Sequence, residues 1–209
     1  QYFPSAVGEV NVVAKMKAVS AVIGGEGNGG IIVPDLHYGR DALIGIALFL
    51  THLALSKKTV KQLRNTFPNY FISKNKITLE KNIDVQTVFE KIKIKYKNQP
   101  TNIEDGLKIE FDTDWVHLRT SNTEPIIRIY AESNFETTAD NIAKKLFESI
   151  LDRDLSYVGS YYHLGKLLER MNEFANAVIV YKKGMQQAKV IKDNHSYNEL
   201  QSALEEIEE

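Results

Sequence analysis

Five of the seven residues from Gly24 to Gly30 are glycine, and no other stretch of this chain restricts its fold so strongly. Glycine tolerates positive φ and close backbone approach, and its density here rules out a regular element. The segment is read as a connection between two short buried strands, Ala21-Val22-Ile23 and Ile31-Ile32-Val33, the second ended by Pro34. Only Glu26 and Asn28 in the loop carry side chains capable of chemistry. Two residues apart on an extended loop, they point to the same side. A carboxylate beside an amide offers a strong acceptor and a donor–acceptor pair, which suits the vicinal hydroxyls of a sugar. A flexible hairpin tip is the plainer alternative.

Glu9 to Val19 carries Val10, Val13, Met16 and Val19 at helical spacing, with Glu9 in the first turn where it favours the helix dipole. A helix from Asp41 to Leu55 is hydrophobic nearly all round and is therefore expected to be buried, with Asp41 as its N-cap. His52 on that helix reads as a satisfied core histidine, and His37 and Arg40 ahead of it as residues bordering the fold. Thr59 caps one more short helix, to Phe67, and Pro68-Asn69 then breaks the chain. A first domain is placed at residues 1–68.

From Tyr70 the pattern changes to one long or bulged strand, Tyr70 to Leu79, then a helical stripe of Val85, Val88, Phe89, Ile92 and Tyr96. Three strand-like runs follow, Leu107 to Phe111, Trp115 to Leu118 and Ile126 to Ala131, and a closing helix starts at Thr137 or Thr138. Asp112-Thr113-Asp114 reads as a hairpin turn, because two carboxylates without a third ligand hold metal weakly. This order predicts an α+β domain, residues 69–153, with a small four-stranded antiparallel sheet and two helices.

Within it, Arg119-Thr120-Ser121-Asn122-Thr123-Glu124-Pro125 sits between two strands and is followed by Arg128. A strand–loop–strand of this composition aims hydroxyl and N–H donors at one point, and arginines add bidentate contacts. The arrangement suits a phosphate group; an ordinary hairpin turn explains the same small polar residues. Lys+Arg 26 against Asp+Glu 27 leaves a net charge of −1, so any phosphate site must be local and no global field favours nucleic acid or an anionic membrane. Cysteine is absent, which excludes disulfides, thiolate metal sites and a cysteine nucleophile. The longest apolar run, Ala42 to Leu55, is too short for a bilayer span, and a soluble cytoplasmic fragment is expected.

Arg119-x-Ser121-x-Thr123-x-Pro125-x-x-Arg128 resembles the phosphate-binding loop in the last domain of the α-D-phosphohexomutases, the phosphomannomutase, phosphoglucomutase and phosphoglucosamine mutase enzymes. The Gly-Glu-Gly-Asn-Gly-Gly segment is similar to the sugar-binding loop of the third domain, usually Gly-Glu-x-Ser-Gly-His, with Asn28 in place of the serine and Gly30 in place of the histidine. The resemblance covers roughly the first 150 residues. It implies a truncated α/β third domain followed by the small fourth domain. It also implies phosphate binding by Arg119, Ser121, Asn122, Thr123 and Arg128, sugar-hydroxyl binding by Glu26 and Asn28, and a substrate-side position for Glu9.

The family reaction runs through a phosphoserine in a Ser-His-Asn-Pro type loop and a Mg²⁺ ion in an Asp-Gly-Asp-x-Asp-Arg type loop. Neither motif occurs in this chain. No catalytic residue, metal ligand or cofactor is therefore assigned to it, and Mg²⁺ is expected for the full-length family enzyme alone. After Asp152-Arg153-Asp154, Tyr161, Leu164-Gly165, Leu168, Ala177, Tyr181 and Gly184 fall at the signature positions of a 34-residue tetratricopeptide repeat. Helices are predicted at Tyr157–Met171 and Glu173–Val190, with a capping helix at Ser196–Ile207, giving a tail at residues 154–209. One repeat cannot bury its own apolar face. The tail is expected to pack on the preceding domain or on a partner chain, or to be a remnant of a longer array. Two functions remain open: the hexose-phosphate-binding C-terminal part of a mutase, or a non-catalytic interaction or self-association module built on a mutase remnant.

Overall fold

The computed structural model describes residues 1–79, 84–121, 123–152 and 155–208, which fall into two compact units, Gln1–Asn69 and Tyr70–Glu209. In the first unit α1 spans Glu9–Val19, β1 Gly24–Gly25, β2 Ile31–Ile32, α2 Ala42–Ser56 and α3 Val60–Arg64. β1 and β2 form an antiparallel pair with Gly24 opposite Ile32 and Gly25 opposite Ile31. The first strand therefore lies at the glycines and not at Ala21-Val22-Ile23. Packing explains the shift. Ser20 leaves α1 in the left-handed region, and Ala21 still donates to the Met16 carbonyl. Gly24 then passes so close to Met16 that a Cβ there would lie 2.2 Å from its sulfur. A glycine strand lets Met16, Val12 and Ile32 close into the small core of this unit.

Asp41 caps α2, its carboxylate accepting from Leu43 N at 2.8 Å and Ile44 N at 3.1 Å. Contrary to expectation, no residue of α2 is buried, and both Leu43 and Leu55 are 78% exposed. His52 is exposed as well and is not a core histidine. A two-residue ladder offers little surface, so the apolar character of α2 is left uncovered. Thr59 and Gln62 form a reciprocal capping box at α3.

The second unit contains β3 (Phe71–Thr78), α4 (Val85–Lys95), β4 (Thr101–Asn102), β5 (Leu107–Glu110), β6 (Trp115–Thr120), β7 (Ile126–Ser133) and α5 (Glu136–Leu151). The sheet has five strands, not four, in the order β3-β7-β6-β5-β4, and all its pairings are antiparallel. The additional strand, β4, is two residues long, too short for any alternation to show in sequence. α5 opens at Glu136 and not at Thr137 or Thr138, because Thr138 and Ala139 both donate to the Phe135 carbonyl. Ile127, Ile129 and Ala131 of β7 face inward with Leu118 and Ile109, against Phe89 and Ile92 of α4 and Leu146 and Phe147 of α5.

The tail forms α6 (Val158–Arg170), α7 (Phe174–Ile191) and α8 (Asn194–Glu208). Tyr181 packs on the buried Gly165, and Ala177 and Leu200 complete the contacts between these helices. Val158, Tyr161, Leu164 and Leu167 belong to the same continuous core as the sheet and α5. The tetratricopeptide-like hairpin thus buries its apolar face on the preceding domain. α6 also lies along β3, an edge strand. Covering an edge removes a template for unwanted pairing. A polar clasp fixes the docking: Arg170 Nη2 donates to Asp140 Oδ1 at 2.6 Å and to Ser73 Oγ at 2.8 Å, while the Ser73 hydroxyl donates to the same carboxylate.

Candidate functional site

Strands β6 and β7 are joined by the Ser121–Pro125 connection, closed where Ser121 N donates to the Ile126 carbonyl at 3.0 Å. Inward positions on these strands are taken by Leu118, Ile127 and Ile129, so Arg119 and Arg128 project from the opposite face. The register sets them directly across from each other, and Lys76 on β3 stands opposite Arg128 on its other side. Three cations therefore form a row over three strands. Like charges facing each other in a ladder are destabilising, so this row needs anions.

Two carboxylates supply them. Asp105 Oδ2 lies 3.4 Å from Arg119 Nη1, and Glu124 Oε2 lies 3.2 Å from Arg128 Nη2. Gly106 makes the first contact geometrically feasible: its φ is +83°, and a Cβ there would lie 2.2 Å from the Leu118 carbonyl oxygen. The same turn sets the Asp105 carbonyl 2.5 Å from His117 Nε2. Arg128 Nε is buried and has no acceptor among the described residues. In the connection, Ser121 Oγ accepts from Thr123 N at 3.4 Å and lies 3.4 Å from Thr123 Oγ1. The structure thus brings Arg119, Ser121, Thr123 and Arg128 to one end of the β6–β7 pair; Asn122 lies outside the described residues. Asp105 was not foreseen. Its partner is 14 positions away and is reached through a turn, whereas Glu124, four residues before Arg128, could have been noticed.

In the first unit, Glu26 Oε1 accepts from Gly8 N at 2.9 Å, satisfying a free N–H at the start of α1. Asn28 lies beside it, Nδ2 to Glu26 Oε2 at 3.4 Å, and Asn28 Oδ1 accepts from Gly30 N at 2.9 Å. Glu9 is engaged by Arg40: its carboxylate accepts from Arg40 Nε at 2.8 Å and from Arg40 N at 3.3 Å. A side chain at Gly30 would meet the stem of Arg40, a Cβ lying 2.7 Å from its Cδ. His37 Nδ1 accepts from Gly39 N at 3.0 Å, so Nε2 carries the proton that meets Asp41 Oδ2 at 3.2 Å. The Asp41 carboxyl is held below the usual range, chiefly by the Ile44 N–H, then by Leu43 and His37. Among the described residues no group of three or more His, Asp or Glu is arranged to hold a metal ion.

Residues 1–70 match the family model described as phosphoglucomutase/phosphomannomutase, alpha/beta/alpha domain III, and residues 74–149 match the C-terminal domain of the same family. A phosphoglucosamine/phosphogalactosamine mutase of Sulfurisphaera tokodaii is 34% identical over 142 residues, which cover 67% of this chain and 31% of the relative. A phosphoglucomutase/phosphomannomutase of Thermococcus kodakarensis is 36% identical over 135 residues, 64% of this chain and 29% of that protein. The fold is shared with a phosphoglucomutase/phosphomannomutase family protein of Burkholderia thailandensis, at a TM-score of 0.57 and 23% identity, over 70% of this chain and 31% of that one. The chain spans about a third of the length of these relatives. The two matched segments share one family, and the observed sheet and loops lie where those segments run: this chain belongs to the phosphoglucomutase/phosphomannomutase family, of which it holds domain III and the C-terminal domain.

Proposed function

We propose that the chain is the substrate-gripping C-terminal part of a phosphohexose mutase of the phosphoglucosamine mutase or phosphomannomutase type. In this reading the domain at 69–153 binds the non-transferred phosphate of a hexose phosphate, and residues 1–68 bind its hydroxyls. The single observation that carries the reading is the Arg119–Arg128 pair. The two arginines are cross-strand partners beside a hydroxyl-bearing connection, and Arg128 Nε lacks an acceptor among the described residues. A phosphoryl dianion would accept from both arginines and from the Ser121 and Thr123 hydroxyls, displacing Asp105 and Glu124. Asn122 is assigned to the same loop.

Glu26 and Asn28 are assigned to the sugar hydroxyls, and Glu9, paired with Arg40, to the same substrate side. Each retains acceptor capacity beyond its present bonds. Phosphoryl transfer itself calls for a nucleophile and a metal-held leaving group. The chain has neither the phosphoserine motif nor the Mg²⁺-binding motif of the family, so it binds and orients. A hexose phosphate is charged and does not cross lipid unaided, which favours a cytoplasmic setting. No helix among the described residues is long and apolar enough to cross a membrane. The tail, residues 154–209, uses its inner face on its own chain. Exposed Phe174, Ile179 and Val190 on α7 leave an outer face for self-association or a protein partner.

Isothermal titration of the whole chain with glucosamine 6-phosphate, glucose 1-phosphate and mannose 1-phosphate tests the assignment. Saturable binding of at least one, lost in Arg119→Ala, is the expected result. Absence of binding at millimolar ligand, with the fold intact, overturns it.

A further inference from the structure

The cation row does not stop at Arg128. On the β3 side a cavity of about 420 Å³ opens, lined by Lys74, Lys76 and Arg128 from the sheet and by His163, Lys166 and Arg170 from α6. Glu124 is the one carboxylate among the described lining residues. Lys166 is held by Glu169 and Glu206, and Arg170 by Asp140, so those two frame the wall. Lys74 and Lys76 form no ion pair among the described residues. Lys74 sits over the Tyr130 ring at 5.9 Å, and Arg128 contributes the Nε without an acceptor. The positive charge of Lys76 reaches His163, whose pKa is lowered to about 4 by burial first and by Lys76 second. The family match ends at residue 149, so the α6 wall lies outside the matched segment.

We propose that this cavity is a second oxyanion site, taking a phosphate-class group between the β3–β7 edge and the tail helix α6. It goes beyond the loop assignment above and shares only Arg128 and Glu124 with that end of the sheet. An oxyanion there would accept from the ammonium groups of Lys74 and Lys76 and from Arg128 Nε. It would also relieve the repulsion between Lys76 and Arg128, which the ladder places opposite each other. The volume exceeds that of a bare phosphate, leaving room for a small organic group attached to it.

The test uses the whole chain and the ring resonances of His163 as a local reporter. Inorganic phosphate is titrated at constant ionic strength, with chloride as the control anion. A saturable His163 shift with phosphate but not chloride is expected. Lys76→Gln or Lys74→Gln should weaken it about tenfold or more, since a charge-assisted bond is lost, while Arg119→Ala leaves it in place. Amide spectra confirm folding, and either lysine variant suffices if the other fails to fold. A His163 response no larger for phosphate than for chloride overturns the proposal, as does one unchanged in both lysine variants. A response abolished by Arg119→Ala reduces the cavity to part of the loop site and overturns it as a separate one. If hexose phosphates fail to bind while the His163 shift persists, the loop assignment falls and this one stands.

Discussion

Arg119 and Arg128 stand opposite each other in the β6–β7 ladder, and each is met by a carboxylate, Asp105 at 3.4 Å and Glu124 at 3.2 Å. In the proposed site an anionic ligand would take the place of these two carboxylates. Preorganised donors cost little to rearrange on binding.

Arg119→Ala should weaken hexose-phosphate or inorganic-phosphate affinity at the loop by about 1.5–3 kcal/mol, the usual worth of a charge-assisted hydrogen bond. Asp105→Asn should act in the opposite direction by about 0.2–1 kcal/mol, because it removes a partly exposed competitor for the same guanidinium. Calorimetric titration of both variants checks the sign.

Arg170→Ala should destabilise the second unit by about 1–3 kcal/mol. Asp140 is only 5% exposed and loses its cationic partner, although Arg170 itself is partly solvated. Asp140→Asn, which removes the charge together with its need for a partner, should cost less. Urea unfolding of the two variants decides the order.

Leu167→Ala should cost about 2–5 kcal/mol, the range for a fully buried leucine. The loss should be felt by the sheet as well as the tail, since both share one core. Hydrogen exchange at β7 amides should accelerate in parallel with α6 amides. Independent melting of the tail would contradict the single core. A chain ending at Ile150 should likewise expose the core face that α6 covers and elute as larger, aggregated species than the whole chain does in sizing chromatography.

His163 should make the second unit less stable as pH falls. Its folded pKa is about 4, below the ordinary 6.5, so between those values the unfolded chain takes up a proton that the folded one resists. Stability should therefore decline from pH 6.5 toward 4, and His163→Gln should flatten that slope. Glu173 acts over a lower window. Its carboxyl is held down first by Lys144 and then by Asn176, so its contribution is present above the ordinary 4.5 and lost as pH falls through its folded value. Denaturant midpoints across pH 3–7 for the wild type and the histidine variant separate the two.

The glycine run shows how local chemistry and packing divide the account. Its density announced a connection in which Glu26 and Asn28 alone carry side chains capable of chemistry. The strand was misplaced onto Ala21–Ile23 because the closeness of Gly24 to Met16 is a contact between segments, invisible along the chain. Similarly, Ile126 to Ala131 and Trp115 to Leu118 declared themselves as strands by their apolar residues, whereas β4 at Thr101–Asn102 exists only because β5 offers it an edge.

Local sequence by itself determined the helices, the longer strands, the capping residues Asp41 and Thr59, and the two family motifs, because periodicity and side-chain-to-backbone bonding act over a few residues. Only the tertiary structure decided that Arg119 faces Arg128, that Asp105 reaches across to the first of them, that α2 is uncovered, and that α6 closes over β3. Those outcomes depend on ladder register and on which apolar faces meet, and both are set by residues far apart in the chain.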